Sequence, residues 1–175
     1  MIYPTHTPLD AHITLDGKPI GGFPSGHIVV LVKTDHSVGA TSLCANVGDV
    51  WLTFHKHGDI HKEQIFVDIN NTSITVALAN SGIDVLLFDD LSMVLCTPMC
   101  RELIPSLHEC AVRHDSLLVF VLEGYNRLDR ISYVGESVWR NYASYIIALH
   151  DGFRASCIWS PVGCKFENVD WRMEQ

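Results

Sequence analysis

The sequence predicts an α+β domain: an antiparallel β-meander over about residues 28–88, packed with a C-terminal α/β part that contains two main helices. Three observations lead there. From His27 the chain breaks into short apolar runs separated by turn dipeptides, the texture of hairpins. After Asn80-Ser81-Gly82 it changes to alternating strand-like and helix-like segments. A length of 175 residues, 47% hydrophobic and 18% charged, suits one packed core and excludes a disordered chain. The expected organisation is a single domain with an irregular arm at 1–26, the meander at 27–90 and the α/β part at 91–175.

The elements follow in order. Residues 1–26 hold four of the seven prolines and four glycines, so they read as an irregular arm with one short strand at 11–15. The run Ile28-Val29-Val30-Leu31-Val32 reads as a buried strand. If Gly48-Asp49 is a two-residue turn, Val47 opposes Val50, Ala45 opposes Leu52 and Leu43 opposes Phe54. With Gly58-Asp59 and Asn70-Asn71 as further turns, Leu52 meets Ile65, Val50 meets Val67, and those two meet Val76 and Ile74. Three turns thus give one apolar face and a four-stranded meander over 43–78. Its other face carries Trp51, His55, His57 and Phe66 among polar residues.

A strand is expected at 84–88. Thr97-Pro98 has the form of an N-cap followed by proline at the first helical position. Met99, Leu103, Leu107, Cys110 and Ala111 then recur at helical spacing, with Pro105 expected to bend or break the first turns. Residues 116–123, SLLVFVLE, read as a buried strand, 137–150 as an amphipathic helix, and the tail from Cys157 as a strand or two.

The formal charge is −8, and the 12 lysines and arginines are scattered singly. That argues against general nucleic-acid or anionic-membrane binding, which needs clustered cations. The start, MIYPTHTPLDAH, lacks the form of a signal peptide, and no apolar stretch reaches the ~18 residues of a membrane span. The expectation is a soluble cytoplasmic protein whose six cysteines (44, 96, 100, 110, 157, 164) are reduced. Cys157 and Cys164 flank a Pro-Gly turn and would pair only in an oxidising setting.

Several strings carry chemistry. The cluster HKHGDIH at 55–61 resembles the HxHxDH zinc-binding pattern of metallo-β-lactamase-like hydrolases, with its last histidine displaced by one residue. His55 and His57 share a face, but two imidazoles fall short of the three or four protein ligands that zinc takes. His12-Ile13-Thr14 and His114-Asp115-Ser116 resemble the paired HxT/HxS motifs of two-histidine phosphoesterases. Cys96, Cys100, His108 and Cys110 or His114 have the residue types of a zinc knuckle, and Asp89-Asp90 those of a magnesium-binding strand end.

Cys100 falls in the first turn of a helix, where unpaired N–H groups and the helix dipole favour thiolate. The order strand, Cys96-Thr97-Pro98-Met99-Cys100, helix with Pro105, strand resembles the active-site region of thioredoxin-like proteins, and Thr97-x-x-Cys100 is similar to the T-x-x-C of peroxiredoxins. That resemblance implies Cys100 as nucleophile or resolving thiol, Cys96 as its partner and Ser160-Pro161 as a cis-proline pair. The leading expectation is a binding or regulatory protein using the face of Trp51, His55, His57 and Phe66, toward a protein or small-molecule partner the sequence does not identify. A thiol oxidoreductase or peroxidase using Cys100, Cys96 and Thr97 is the alternative, and a hydrolase with zinc on His55 and His57 the third reading.

Overall fold

The computed structural model describes residues 1–34, 39–48, 50–53, 63–66, 84–88 and 100–172. The N-terminal arm contains β1 (Ile2–Tyr3), a 3-10 turn at Pro8–His12, β2 (Thr14–Leu15), β3 (Lys18–Pro19) and β4 (Phe23–Pro24). Then come β5 (Ile28–Thr34), α1 (Ala40–Val47), β6 (Val50–Thr53), β7 (Glu63–Phe66), β8 (Val85–Phe88) and α2 (Cys100–His114). The chain finishes with β9 (Leu117–Arg127), β10 (Arg130–Tyr133), α3 (Glu136–Tyr142), β11 (Tyr145–His150), β12 (Arg154–Trp159) and β13 (Val169–Asp170).

One nine-stranded sheet runs in the order β13-β12-β11-β5-β9-β8-β6-β7, with β10 paired to β9. Strands β11, β5, β9, β8, β6 and β7 are parallel to their neighbours, whereas β9–β10, β11–β12 and β12–β13 are antiparallel. The α+β class, antiparallel pairing and two C-terminal helices packed on the sheet therefore stand. Among the described residues, however, the antiparallel pairs belong to the C-terminal part and the N-terminal arm, and β5, β6, β7 and β8 pair only in parallel.

The expected hairpins fail for specific reasons. Leu43 to Val47 lie in a helix that buries Ala40, Leu43, Cys44 and Val47, the spacing of one helical face. β6 and β7 run parallel, so Leu52 does face Ile65, but Val50 faces Glu63 and not Val67. The turns placed at Gly58-Asp59 and Asn70-Asn71 lie outside the described residues. The helix expected over 137–150 ends at Tyr142, and 145–150 is a strand. Its apolar run is continuous because the parallel sheet covers it on both faces. Pro105 does not break α2, which continues through it to His114. Just beyond, the Ser106 hydroxyl donates to the Glu102 carbonyl at 3.0 Å.

Side chains of the central strands alternate between two cores. Ile28, Val30, Val32, Leu118, Phe120, Leu122 and Ile146 face α2 and α3, meeting Ile104, Leu107, Ala111 and Trp139. Phe120 lies between two aromatics there: it stacks on Phe88 at 4.3 Å and tilts against Trp139 at 4.8 Å between centroids. Val29, Leu31, Val119, Val121, Tyr145, Ile147 and Leu149 face the other way, toward α1, the N-terminal arm and the tail. Each of these aliphatics, fully buried, contributes about 1.5–3 kcal/mol, which places β5 and β11 well inside the sheet.

The arm holds only two-residue strands and a 3-10 turn, with β2 inside the 11–15 stretch expected as a short strand. It sinks Leu9, Ile13 and Phe23 into the second core, and Phe23 meets the Tyr145 ring edge-on at 5.7 Å. β1 pairs with β4, and Gly22 makes that pairing fit: its φ is +154°, and a Cβ there would lie 2.5 Å from the Tyr3 carbonyl oxygen. Among the described residues no helix is long and apolar enough to cross a membrane.

Candidate thiol site

The arm, β12 and the tail converge on two cysteines. β12 returns antiparallel to β11 with a register shift that sets Ile146 beside Trp159 but Ile147 beside Cys157. The extra residue, Ile158, lets both it and Trp159 pack on the α2/α3 side while Cys157 stays with the other core. The loop 160–164 then folds back. Ser160 Oγ donates to the Ser144 carbonyl at 2.8 Å and accepts from the Cys164 N–H at 3.3 Å. The Cys157 N–H donates to the Phe166 carbonyl at 2.9 Å.

These bonds bring Cys164 over Cys157. The Cys157 S–H donates to the Cys164 carbonyl at 3.4 Å and lies 3.7 Å from the Trp159 carbonyl. Both are free, Cys164 buried at 2% exposure and Cys157 partly exposed. On its far side Cys164 meets the arm: its S–H donates to the His12 carbonyl at 3.5 Å, and the Thr14 hydroxyl donates to the adjacent Gly163 carbonyl at 3.3 Å. The Tyr145 hydroxyl donates to the Thr14 carbonyl at 3.1 Å, and the Asp16 N–H to the Val162 carbonyl at 2.9 Å, so arm and loop hold each other.

The electrostatics are asymmetric. The neighbouring Cys157 side chain holds Cys164 below the ordinary thiol range, against the effect of burial and with help from the nearby Thr14. Cys157 is pushed up by the neighbouring Cys164 side chain and by burial. Burial, followed by the nearby Cys164 and Cys157 charges, also raises Tyr145, so its phenol stays protonated. One thiol is thus disposed to ionise first and the other to keep its proton. Such a pair can lose two electrons and close a disulfide. A groove lined by His150, Ser156, Cys157, Lys165, Phe166 and Glu167 opens beside it.

No protein-family model and no curated protein matches the chain. The site therefore stands on its own geometry.

Of the residues singled out from the sequence, Cys100 is the first residue of α2, after β8 and before the parallel β9, the local order expected of it. Cys96, Thr97, His55, His57 and Asp89-Asp90 lie outside the described residues. Trp51 sits beside Gln64 and Phe66 beside Thr53 in the β6–β7 register. The Ser160-Pro161 peptide is trans, unlike the cis pair implied by the thioredoxin-like resemblance. The two HxT/HxS motifs do not face each other, because Ile13 packs on one side of the sheet and the end of α2, at Ala111, on the other. Among the described residues no three His, Cys, Asp or Glu side chains gather as a metal site, and His108 and Cys110 simply share α2. The sequence signal for the thiol site was the Cys157/Cys164 spacing around a Pro-Gly turn. Thr14 and His12 had none, since the arm reaches Cys164 across 152 residues of chain.

A second polar pair lies at the amino ends of the parallel strands, where His27 Nδ1 and Ser144 Oγ are 2.7 Å apart. Burial and, after it, the neighbouring His108 lower the His27 pKa, with Asp115 opposing; the Tyr145 ring packs at 6.4 Å. The unfolded chain, with an ordinary imidazole near ~6.5, therefore binds the proton more readily than the folded one. Stability is expected to fall as pH drops below about 6.5 and to level off below the folded value. Comparing denaturant midpoints from pH 7.5 to 4.5, His27→Gln should lose less stability than the parent over that window; identical curves would remove the account.

Proposed function

We propose that the chain is a regulatory protein whose state is set by the Cys157–Cys164 dithiol. The observation that carries this reading is that two free cysteines are folded onto each other, with Cys157 Sγ 3.4 Å from the Cys164 carbonyl. The thiol class considered from the sequence is kept, with its centre moved from Cys100 to the tail. Equilibrating the protein in buffers of reduced and oxidised dithiothreitol, then mapping peptides, tests it. The expected result is a Cys157–Cys164 linkage with the other cysteines still alkylatable. Cysteines 157 and 164 remaining free across the full range would end the reading.

Partner binding is assigned to the outer strands β6 and β7, with Trp51, Phe66, His55 and His57 as the contact residues. The β6–β7 register supports it by setting the two aromatic positions on adjacent strands at the end of the sheet. Trp51→Ser and Phe66→Ser are expected to abolish capture of the partner while shifting the thermal midpoint by less than about 2 °C, the scale of a surface change of ~0.5 kcal/mol. A large fall in the midpoint would make these residues core instead.

A further inference from the structure

We infer that a cavity at the carboxyl ends of β5 and β11, apart from the thiols, is a binding site for a small aromatic carboxylate. The chain leaves these neighbouring parallel strands in opposite directions along the sheet, β5 through α1 toward β6 and β11 by a turn into β12. In open sheets of parallel strands such a divergence leaves a crevice at the strand ends, and ligands bind there. Here it is a cavity of about 340 Å³, within the range of small-molecule sites. Thr7 of the arm, Ser42 and Leu43 of α1, Phe153 of the β11–β12 turn, and Trp171 and Arg172 after β13 line it.

The walls suit a flat ring. Phe153 and Trp171 meet edge-on at 5.2 Å between centroids, and Leu43 adds an apolar side chain from α1. Phe153 sits at φ +60°, a strained conformation for a bulky residue and one that gathers at ligand sites. Gly39, at φ +99°, lets both rings close on the start of α1. A Cβ there would lie 2.6 Å from the far edge of the Trp171 indole and 3.1 Å from the Phe153 ring. The Trp171 N–H is buried with no hydrogen-bond partner among the described residues, so the fold tolerates an unmatched donor to keep a broad ring at this wall. Charge sets the other end of the ligand. In a chain of formal charge −8 no acidic residue lines the cavity, and Arg172 is its one charged side chain. Arg172 gives Nε and Nη2 to Asp170, and its Nη1 makes no hydrogen bond among the described residues. Arg154 lies 4.0 Å from the same carboxylate, so two cations stand here against one anion. A ring packed on Phe153, Trp171 and Leu43 brings its carboxylate to Arg172 for a charge-assisted hydrogen bond.

The test titrates naphthoate, naphthamide and acetate into the full-length protein and follows the tryptophan indole N–H signals by NMR, with Trp171 assigned from Trp171→Phe. Naphthoate is expected to saturate and to shift the Trp171 signal. Naphthamide should bind at least about 10-fold more weakly, and acetate, which has no ring, should not saturate. Arg172→Gln, at an exposed position, should weaken naphthoate to the level of the amide. Ser42→Trp, which fills the cavity from an exposed position of α1, should abolish binding without lowering the thermal midpoint. The parent titrations and Arg172→Gln keep the site open to test if that variant fails to fold. Equal affinity for acid and amide, an unmoved Trp171 signal, or naphthoate binding that survives in folded Ser42→Trp would each overturn the inference.

Discussion

Truncating Trp139 to alanine is expected to cost about 3–5 kcal/mol, the range for emptying an aromatic residue from a core. Its ring is fully buried on α3 and closes the stack begun by Phe88 and Phe120. The cavity would open beneath a helix of seven residues, too short to re-seat itself by its own hydrogen bonds. For a chain of this size each kcal/mol moves the thermal midpoint by roughly 2–4 °C, so a drop on the order of 10 °C is expected by calorimetry. Trp139→Phe separates the causes. The indole N–H is buried without a hydrogen-bond partner, so phenylalanine keeps much of the ring and deletes an unpaired donor. It is expected to lose less than half as much; equal losses would show that ring packing is not what Trp139 supplies.

Gly22→Ala is expected to destabilise by about 1–3 kcal/mol from backbone strain alone, with a steric term on top. The atoms a Cβ would strike, the Tyr3 carbonyl oxygen and carbon, are backbone and cannot swing aside as a side chain would. The damage should be local. β1 and β4 part, Phe23 loses its seat, and the arm that carries His12 and Thr14 to Cys164 loosens. The thiol should therefore gain access as it loses the His12 carbonyl it donates to. In Gly22→Ala a bulky maleimide is expected to label Cys164 under native conditions, whereas in the parent it should not. A variant that is destabilised but still shields Cys164 would show that the arm is not the cover of this site.

Much of the fold was legible where one periodicity ruled. Residues 28–32 and 117–122 are apolar at every position, and both are central strands buried on two faces. The stretch 40–47 was harder because it satisfies two patterns at once. Leu43, Ala45 and Val47 alternate as in a strand, while Ala40, Leu43, Cys44 and Val47 fall on one helical face, and eight residues are too few to decide between them. Residues 145–149 misled in the opposite way. Tyr145, Ile146 and Leu149 keep helical spacing with Val138 and Tyr142, but the strand buries the residues between them too.

The thiol site was half legible. Two cysteines around a Pro-Gly turn are visible in the chain, yet what Cys164 Sγ meets is the His12 carbonyl, near the opposite terminus. Local pattern carries no information about such a neighbour. Cys100, favoured for its place at a helix start, does begin α2, but that argument weighs only the helix and not what packs on it.

β5 also sets an order of events. It pairs with residues 118–124 on one edge and 145–149 on the other, all of them made long after it on the ribosome. Until then both its backbone edges lack their native partners, and closing such long loops is slow. A nascent or truncated chain stopping short of residue 145 thus displays a β-branched strand with an open edge, a template for association with its own copies. Synthesis of this protein carries an obligatory vulnerable interval, and the last third of the chain ends it.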